Sequence, residues 1–169
     1  MKIDSIFNWY VLYTYPNSEK KVETNLSLKK IETYLPLQKV RRQWSDRKKT
    51  VLVPLFPNYV FVYANHCERY KILEVPGALR FVSFGGRPVF ISVSEIDTIK
   101  KLLSNDHTLA VEKSLEKGDA VRITDGSFAG LCGILFERKG QKRFGIQINS
   151  INQSLSIEIS SSCLEKIVE

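Results

Sequence analysis

Leu55-Phe56-Pro57-Asn58-Tyr59-Val60-Phe61-Val62-Tyr63 is an apolar run entered through Pro54 and Pro57 and built almost wholly of aromatic and β-branched residues. Each proline lacks an N–H donor and fits a strand only at its start or edge, so the strand is expected to begin after Pro57. Side chains alternate along a strand, which sets Tyr59, Phe61 and Tyr63 on one face and Val60 and Val62 on the other. The slim aliphatic face suits packing beneath a helix. The aromatic face can complete a core, or it can offer rings on which a partner docks or bases stack.

Upstream, Trp9 to Thr14 has strand character on both faces, as an interior strand should. Pro16 ends it, Asn17 or Ser18 can cap a helix, and no Gly or Pro breaks the segment to about Tyr34. The periodicity there is imperfect: Val22 and Leu26 lie on one side, and Leu28, Ile31 and Leu35 on another. Such a helix is either covered on two sides or ends early. Lys20 and Lys21 oppose the dipole of its first turn and sit where a phosphate could be bound. Leu37 to Trp44 and Thr50 to Val53 read as a hairpin whose connecting segment is strongly basic. Lys39, Arg41, Arg42, Arg47, Lys48 and Lys49 stand there against Asp46 alone, with Trp44 as a stacking or packing ring.

Downstream, Cys67 to Glu74 reads as a short helix, Pro76-Gly77 as a turn, and Leu79 to Phe84 as a returning strand. Gly85-Gly86-Arg87-Pro88 then turns the chain into Val89-Phe90-Ile91. Ser92-Val93-Ser94-Glu95 has capping-box spacing, and Ile96, Ile99 and Leu103 form an apolar stripe. The order strand, helix, hairpin, strand, helix, strand, helix implies an α+β domain with an antiparallel sheet over residues 1–105. Residues 106–117 are polar and aperiodic and read as a linker. From Gly118 onward, five short strands without helical period read as a small all-β barrel over 118–169.

The formal charge of +7 lies wholly in residues 1–110, which hold 17 Lys and Arg against 10 Asp and Glu. A field of that sign favours an anionic partner, nucleic acid first and a membrane surface next. Cys67, Cys132 and Cys163 are odd in number and widely spaced, which fits a reducing cytoplasm rather than a disulfide framework or a zinc site. No apolar run approaches the roughly 18 residues of a spanning helix, and residues 1–8 lack signal-peptide character. No P-loop, nucleophile elbow or metal-spaced cluster is present, and His66 and His107 stand in no constellation. A non-enzymatic chain without a cofactor is expected.

Gly118-Asp119-Ala120-Val121-Arg122-Ile123-Thr124-Asp125-Gly126-Ser127-Phe128-Ala129-Gly130-Leu131-Cys132-Gly133-Ile134 closely resembles the KOW motif. Val121 and Ile123 should face a core and Arg122 the solvent, while Gly130 and Gly133 permit backbone that a Cβ would block. Phe128, between glycines at a tip, either plugs the barrel end or is shown to a partner. With this module behind the α+β domain and its Leu55 to Val62 run, the chain resembles the NusG family of transcription elongation factors. The Leu-Phe-Pro-Asn-Tyr run and Phe81-Val82-Ser83-Phe84-Gly85 look more like the specialised RfaH and UpxY antiterminators of polysaccharide loci.

The resemblance implies an NGN-like domain that docks on the clamp helices of bacterial RNA polymerase, suppresses pausing or termination, and touches non-template DNA or nascent RNA. Carried over by position, Tyr59 and Phe61 are the main docking aromatics, with Tyr13, Phe56 and Phe84 as walls. Lys20 and Lys21 lie near the DNA-facing helix start, and Arg41, Arg42, Arg47 and Lys48 extend the basic surface. The SH3-like KOW barrel is similar to those that bind a small-subunit ribosomal protein or Rho, with Phe128 in the matching loop. A monomer without a membrane partner is implied. Where the specialised paralogues carry a His-Thr-Thr run for the second large subunit, this chain has Glu68-Arg69-Tyr70. Some paralogues refold the C-terminal domain as helices, but Ile146, Ile148, Ile151, Ile157 and Ile159 favour strands and predict a barrel that does not switch. A plain RNA-binding module is the competing class, although Phe56-Pro57-Asn58 stands where such folds favour Lys or Arg then Gly.

Overall fold

The computed structural model describes residues 6–44, 46–104, 109–112, 118–138 and 140–167. The chain divides into two compact units, Met1–Val93 and Ser94–Glu169. In the first, β1 (Asn8–Thr14) leads to α1 (Glu19–Leu28), β2 (Glu32–Tyr34), the hairpin β3 (Leu37–Gln43) and β4 (Lys48–Pro54), and β5 (Tyr59–Ala64). Next come α2 (His66–Leu73), β6 (Ala78–Phe81), and the short pair β7 (Ser83–Phe84) and β8 (Arg87–Pro88). Four of these strands form an antiparallel sheet in the order β2-β5-β1-β6, so the two most apolar strands are interior.

The aliphatic face of that sheet carries the core. Leu12, Val60, Val62, Ala64 and Phe81 pack with Val22 and Leu26 of α1, Ile72 of α2, and Val75. Val22 and Leu26 are the buried apolar residues of α1, and at about 1.5–3 kcal/mol each for full burial they suffice to seat it. The helix stops at Leu28 rather than near Tyr34. Lys30 takes φ 60°, which no helix continues, and residues beyond it pair as β2 with β5. α2 starts with a capping box in which Asn65 and Glu68 satisfy each other's backbone N–H groups.

The strand expected over Leu79 to Phe84 is split in two. β6 pairs with β1, while β7 turns through Gly85 (φ 56°) and Gly86 (φ 76°) into β8. Two positive φ values at a two-residue turn match the twist of a tight hairpin, and glycine adopts them without strain. The expected strand at Val89 to Ile91 is reduced to a single bridge, Tyr10 to Phe90, beside β1.

The second unit holds most of α3 (Val93–Leu103), then β9 (Ala110–Glu112), β10 (Asp119–Ile123), β11 (Cys132–Arg138), β12 (Gln141–Ile148), β13 (Gln153–Glu158) and β14 (Leu164–Lys166). The second unit begins ahead of residue 105 because α3 is tied to the strands that follow it. Lys101 Nζ donates to the Ala129 carbonyl at 2.9 Å, and Ser150 Oγ donates to Glu95 at 2.8 Å. The buried stripe of α3 is Ile96, Ile99 and Leu102, with Leu103 half-buried. The strands form one antiparallel sheet in the order β14-β10-β11-β12-β13-β9. Ser154 to Ile157 are all buried, so both faces of β13 are covered, as in a small barrel. Of the expected linker, 106–108 and 113–117 lie outside the described residues, and Ala110–Glu112 pair with β13 as its edge strand.

Candidate docking and nucleic-acid surfaces

The approach to β5 is built on Asn58. Its φ of 68° suits asparagine far better than a branched residue. Its N–H donates to Glu19 Oε1 at 2.8 Å, its carbonyl accepts from Thr14 N at 2.8 Å, and its Nδ2 donates to the Tyr13 hydroxyl at 3.3 Å. Glu19, at the head of α1, is only 6% exposed, so a buried carboxylate joins α1 to the entrance of β5. Neither Glu19 nor Asn58 stands out by periodicity. The signal available was an Asn between a proline and a strand.

This arrangement sets Tyr13 opposite Tyr59 and, across β1, opposite Arg80. The two rings meet edge to face at 5.4 Å, and the Arg80 guanidinium lies 5.3 Å over the Tyr13 ring. Burial, then the neighbouring Tyr13, pushes the Tyr59 phenol up, with Arg80 acting the other way. Both tyrosines are half-buried and present polar tips on an apolar body.

Phe61 and Phe56 lie beneath the surface, 0% and 1% exposed, with rings 6.2 Å apart. Tyr34 of β2 stacks on Phe61 at 6.1 Å, and burial pushes its phenol up to about 12. Phe84 is the opposite case: it sits beside the Gly85-Gly86 turn and is 86% exposed. Of the five expected docking aromatics, Tyr13, Tyr59 and Phe84 therefore reach the surface, whereas Phe56 and Phe61 are buried. At the far end of the same face, Tyr63 contacts Phe7 at 5.5 Å and Trp9 at 5.4 Å, an aromatic cluster formed by pairing across strands.

The cations divide as well. Lys20 and Lys21 are both exposed, and Lys20 Nζ donates to the Leu52 carbonyl of β4 at 2.7 Å and braces the hairpin. Arg41, Arg42, Arg47 and Lys48 are all exposed on or beside β3 and β4, and Trp44 at the tip is 55% exposed. In the second unit, Val121 and Ile123 are buried and Arg122 is exposed, as alternation predicts. Phe128 is 5% exposed and plugs rather than projects. Its loop is closed by Gly130, φ 88°, whose N–H reaches the Ile123 carbonyl at 2.8 Å. Among the described residues no group of three or more His, Cys, Asp or Glu could hold a metal ion, and no helix is long and apolar enough to cross a membrane.

Comparison with known proteins places this architecture. The family described as "Transcription termination factor nusG" matches residues 7–100. Transcription termination/antitermination protein NusG of Halalkalibacterium halodurans is 27% identical over 95% of this chain and 98% of its own length. The Bacillus subtilis protein of the same name is 27% identical over the same shares, and that of Helicobacter pylori 25% identical over 96% of this chain and 100% of its own. A solved structure of Thermotoga maritima NusG, 24% identical, superposes with a TM-score of 0.59 over 96% of this chain and 98% of that one. The family match takes in the four-stranded sheet and most of α3, more than half of the sequence, and with it the chain belongs to the NusG family of transcription termination and antitermination proteins.

Proposed function

We propose that the chain is a transcription elongation factor that docks on the clamp helices of bacterial RNA polymerase and suppresses pausing or termination. The observation that carries this is the aromatic surface at the Tyr13 end of the sheet. Tyr13 and Tyr59 there offer paired rings to an apolar partner beside buried Phe61 and Phe56, and the 86%-exposed Phe84 offers another at the separate β7–β8 turn. Interface aromatics can each contribute about 2 kcal/mol or more, enough for a specific dock from two or three side chains. Family membership supports RNA polymerase as the partner. Lys21, Arg41, Arg42, Arg47 and Lys48 then face non-template DNA or nascent RNA, with Lys20 holding the basic hairpin in place.

The KOW barrel of residues 118–169 takes a small-subunit ribosomal protein or Rho, and Phe128 shapes the recognition loop from within. The factor acts as a cytoplasmic monomer and its barrel does not switch. The relatives compared carry the general factor's name and support a general role. The narrower role, antitermination at selected operons, is supported by Leu55 to Tyr59 and Phe81 to Gly85. Single-round transcription with bacterial polymerase tests both. Wild type should shorten pauses and Tyr59→Ala should not. A Tyr59→Ala protein as active as wild type sinks the dock, and equal action on all templates sinks the operon-selective role.

A further inference from the structure

The β3–β4 hairpin is a sheet of its own, paired from Leu37↔Pro54 to Gln43↔Lys48 and joined by no strand of the four-stranded sheet. Its base is held by the Lys20 bond to Leu52 and by Leu55 N donating to the Pro36 carbonyl at 2.8 Å. Directly opposed residues share a face. Arg41↔Thr50 and Gln43↔Lys48 put Arg41 and Lys48 on one side of the ribbon, while Arg42↔Lys49 puts two cations on the other. All four are exposed, and the one acid of the hairpin, Asp46, pairs with Arg47 at 3.9 Å.

Like charges directly opposed destabilise a ribbon by themselves, and a ligand that meets one face leaves the other unneutralised. A single strand lying along a groove is such a one-sided ligand. The major groove of B-form DNA differs, being about 12 Å wide and about 8.5 Å deep, admitting a two-stranded ribbon, and walled by phosphates on both sides. The three distal pairs, at about 3.4 Å per residue, extend about 10 Å behind the turn closed by Trp44 N and the Arg47 carbonyl. They hold Arg41, Arg42, Lys48 and Lys49, while Lys39 lies exposed behind them on the Arg41 face and Arg47 lies in the turn. The major groove of an RNA duplex is too narrow for side chains to read.

We propose that the β3–β4 ribbon enters the major groove of duplex DNA tip first, with Arg41 and Lys48 toward one phosphate backbone and Arg42 and Lys49 toward the other. This deepens the nucleic-acid contact of the proposed function and rests on it. The test is binding of the full chain to a 20-base-pair DNA duplex, to one strand of it, and to the RNA duplex of the same sequence, between 50 and 200 mM salt. With four phosphate contacts, wild-type affinity for the DNA duplex should fall about 150-fold over that range. Arg41→Gln/Lys48→Gln and Arg42→Gln/Lys49→Gln, each with unchanged thermal unfolding, should each reduce that fall to about 12-fold. The DNA duplex should also bind more tightly than either alternative. A change carried by one pair of cations alone, or a preference for the single strand or RNA duplex, overturns groove entry. Absence of binding to all three overturns the nucleic-acid contact too, and binding of the same protein to polymerase then shows separately whether the aromatic dock stands.

Discussion

Asn58 shows how much one position can carry. Three segments, β1, α1 and the start of β5, converge on its backbone and side chain. Glu19→Ala leaves the Asn58 N–H unsatisfied in a part-buried site and should lower stability by about 1.5–3 kcal/mol, read as a shift of the urea midpoint at unchanged slope. Tyr34 offers a second test. Burial raises its phenol to about 12, above the unfolded value near 10, so the folded state holds the proton more tightly. Its contribution to stability is complete below about pH 10 and is lost as pH rises from there toward about 12. In an absorbance titration at rising pH, Tyr34 should ionise well after an exposed tyrosine, and Tyr34→Phe should remove that late step.

At the scale of elements, packing fixes what local preference leaves open. Gly133 lies where an added Cβ would come within 2.4 Å of the Gly145 carbonyl and 2.7 Å of the Phe144 ring. Neither backbone nor a fully buried ring can yield cheaply, so Gly133→Ala should cost the barrel about 1–3 kcal/mol, seen as a lowered melting temperature. Much of this organisation was legible beforehand. Alternation sorted Tyr59, Phe61 and Tyr63 from Val60 and Val62, and turn residues separated the barrel strands. Alternation names a face without saying what covers it, which is why buried Phe61 and exposed Phe84 read alike in the sequence. The end of α1 was hidden for another reason: Lys30 turns the chain without Gly or Pro, and pairing of β2 with β5 decides the stop. The Glu19 bond to Asn58 spans 39 residues and leaves no periodic trace.

At the scale of the whole molecule, the family fold supplies an aromatic surface, a basic ribbon and a barrel on one chain, and the central claim concerns the first. Phe61→Ala is a poor probe of it, because removing a fully buried ring costs about 3–5 kcal/mol of stability and confounds docking with folding. Tyr59→Ala and Phe84→Ala touch half-buried and exposed rings instead. The most direct measurement is the affinity of the full chain for a bacterial transcription elongation complex, wild type beside these two variants, at two salt concentrations. Each variant should weaken binding by roughly 30-fold, the equivalent of about 2 kcal/mol, at both salts and with intact folding. Unchanged affinity of both variants, or binding that vanishes at the higher salt in wild type and variants alike, would contradict an apolar polymerase dock.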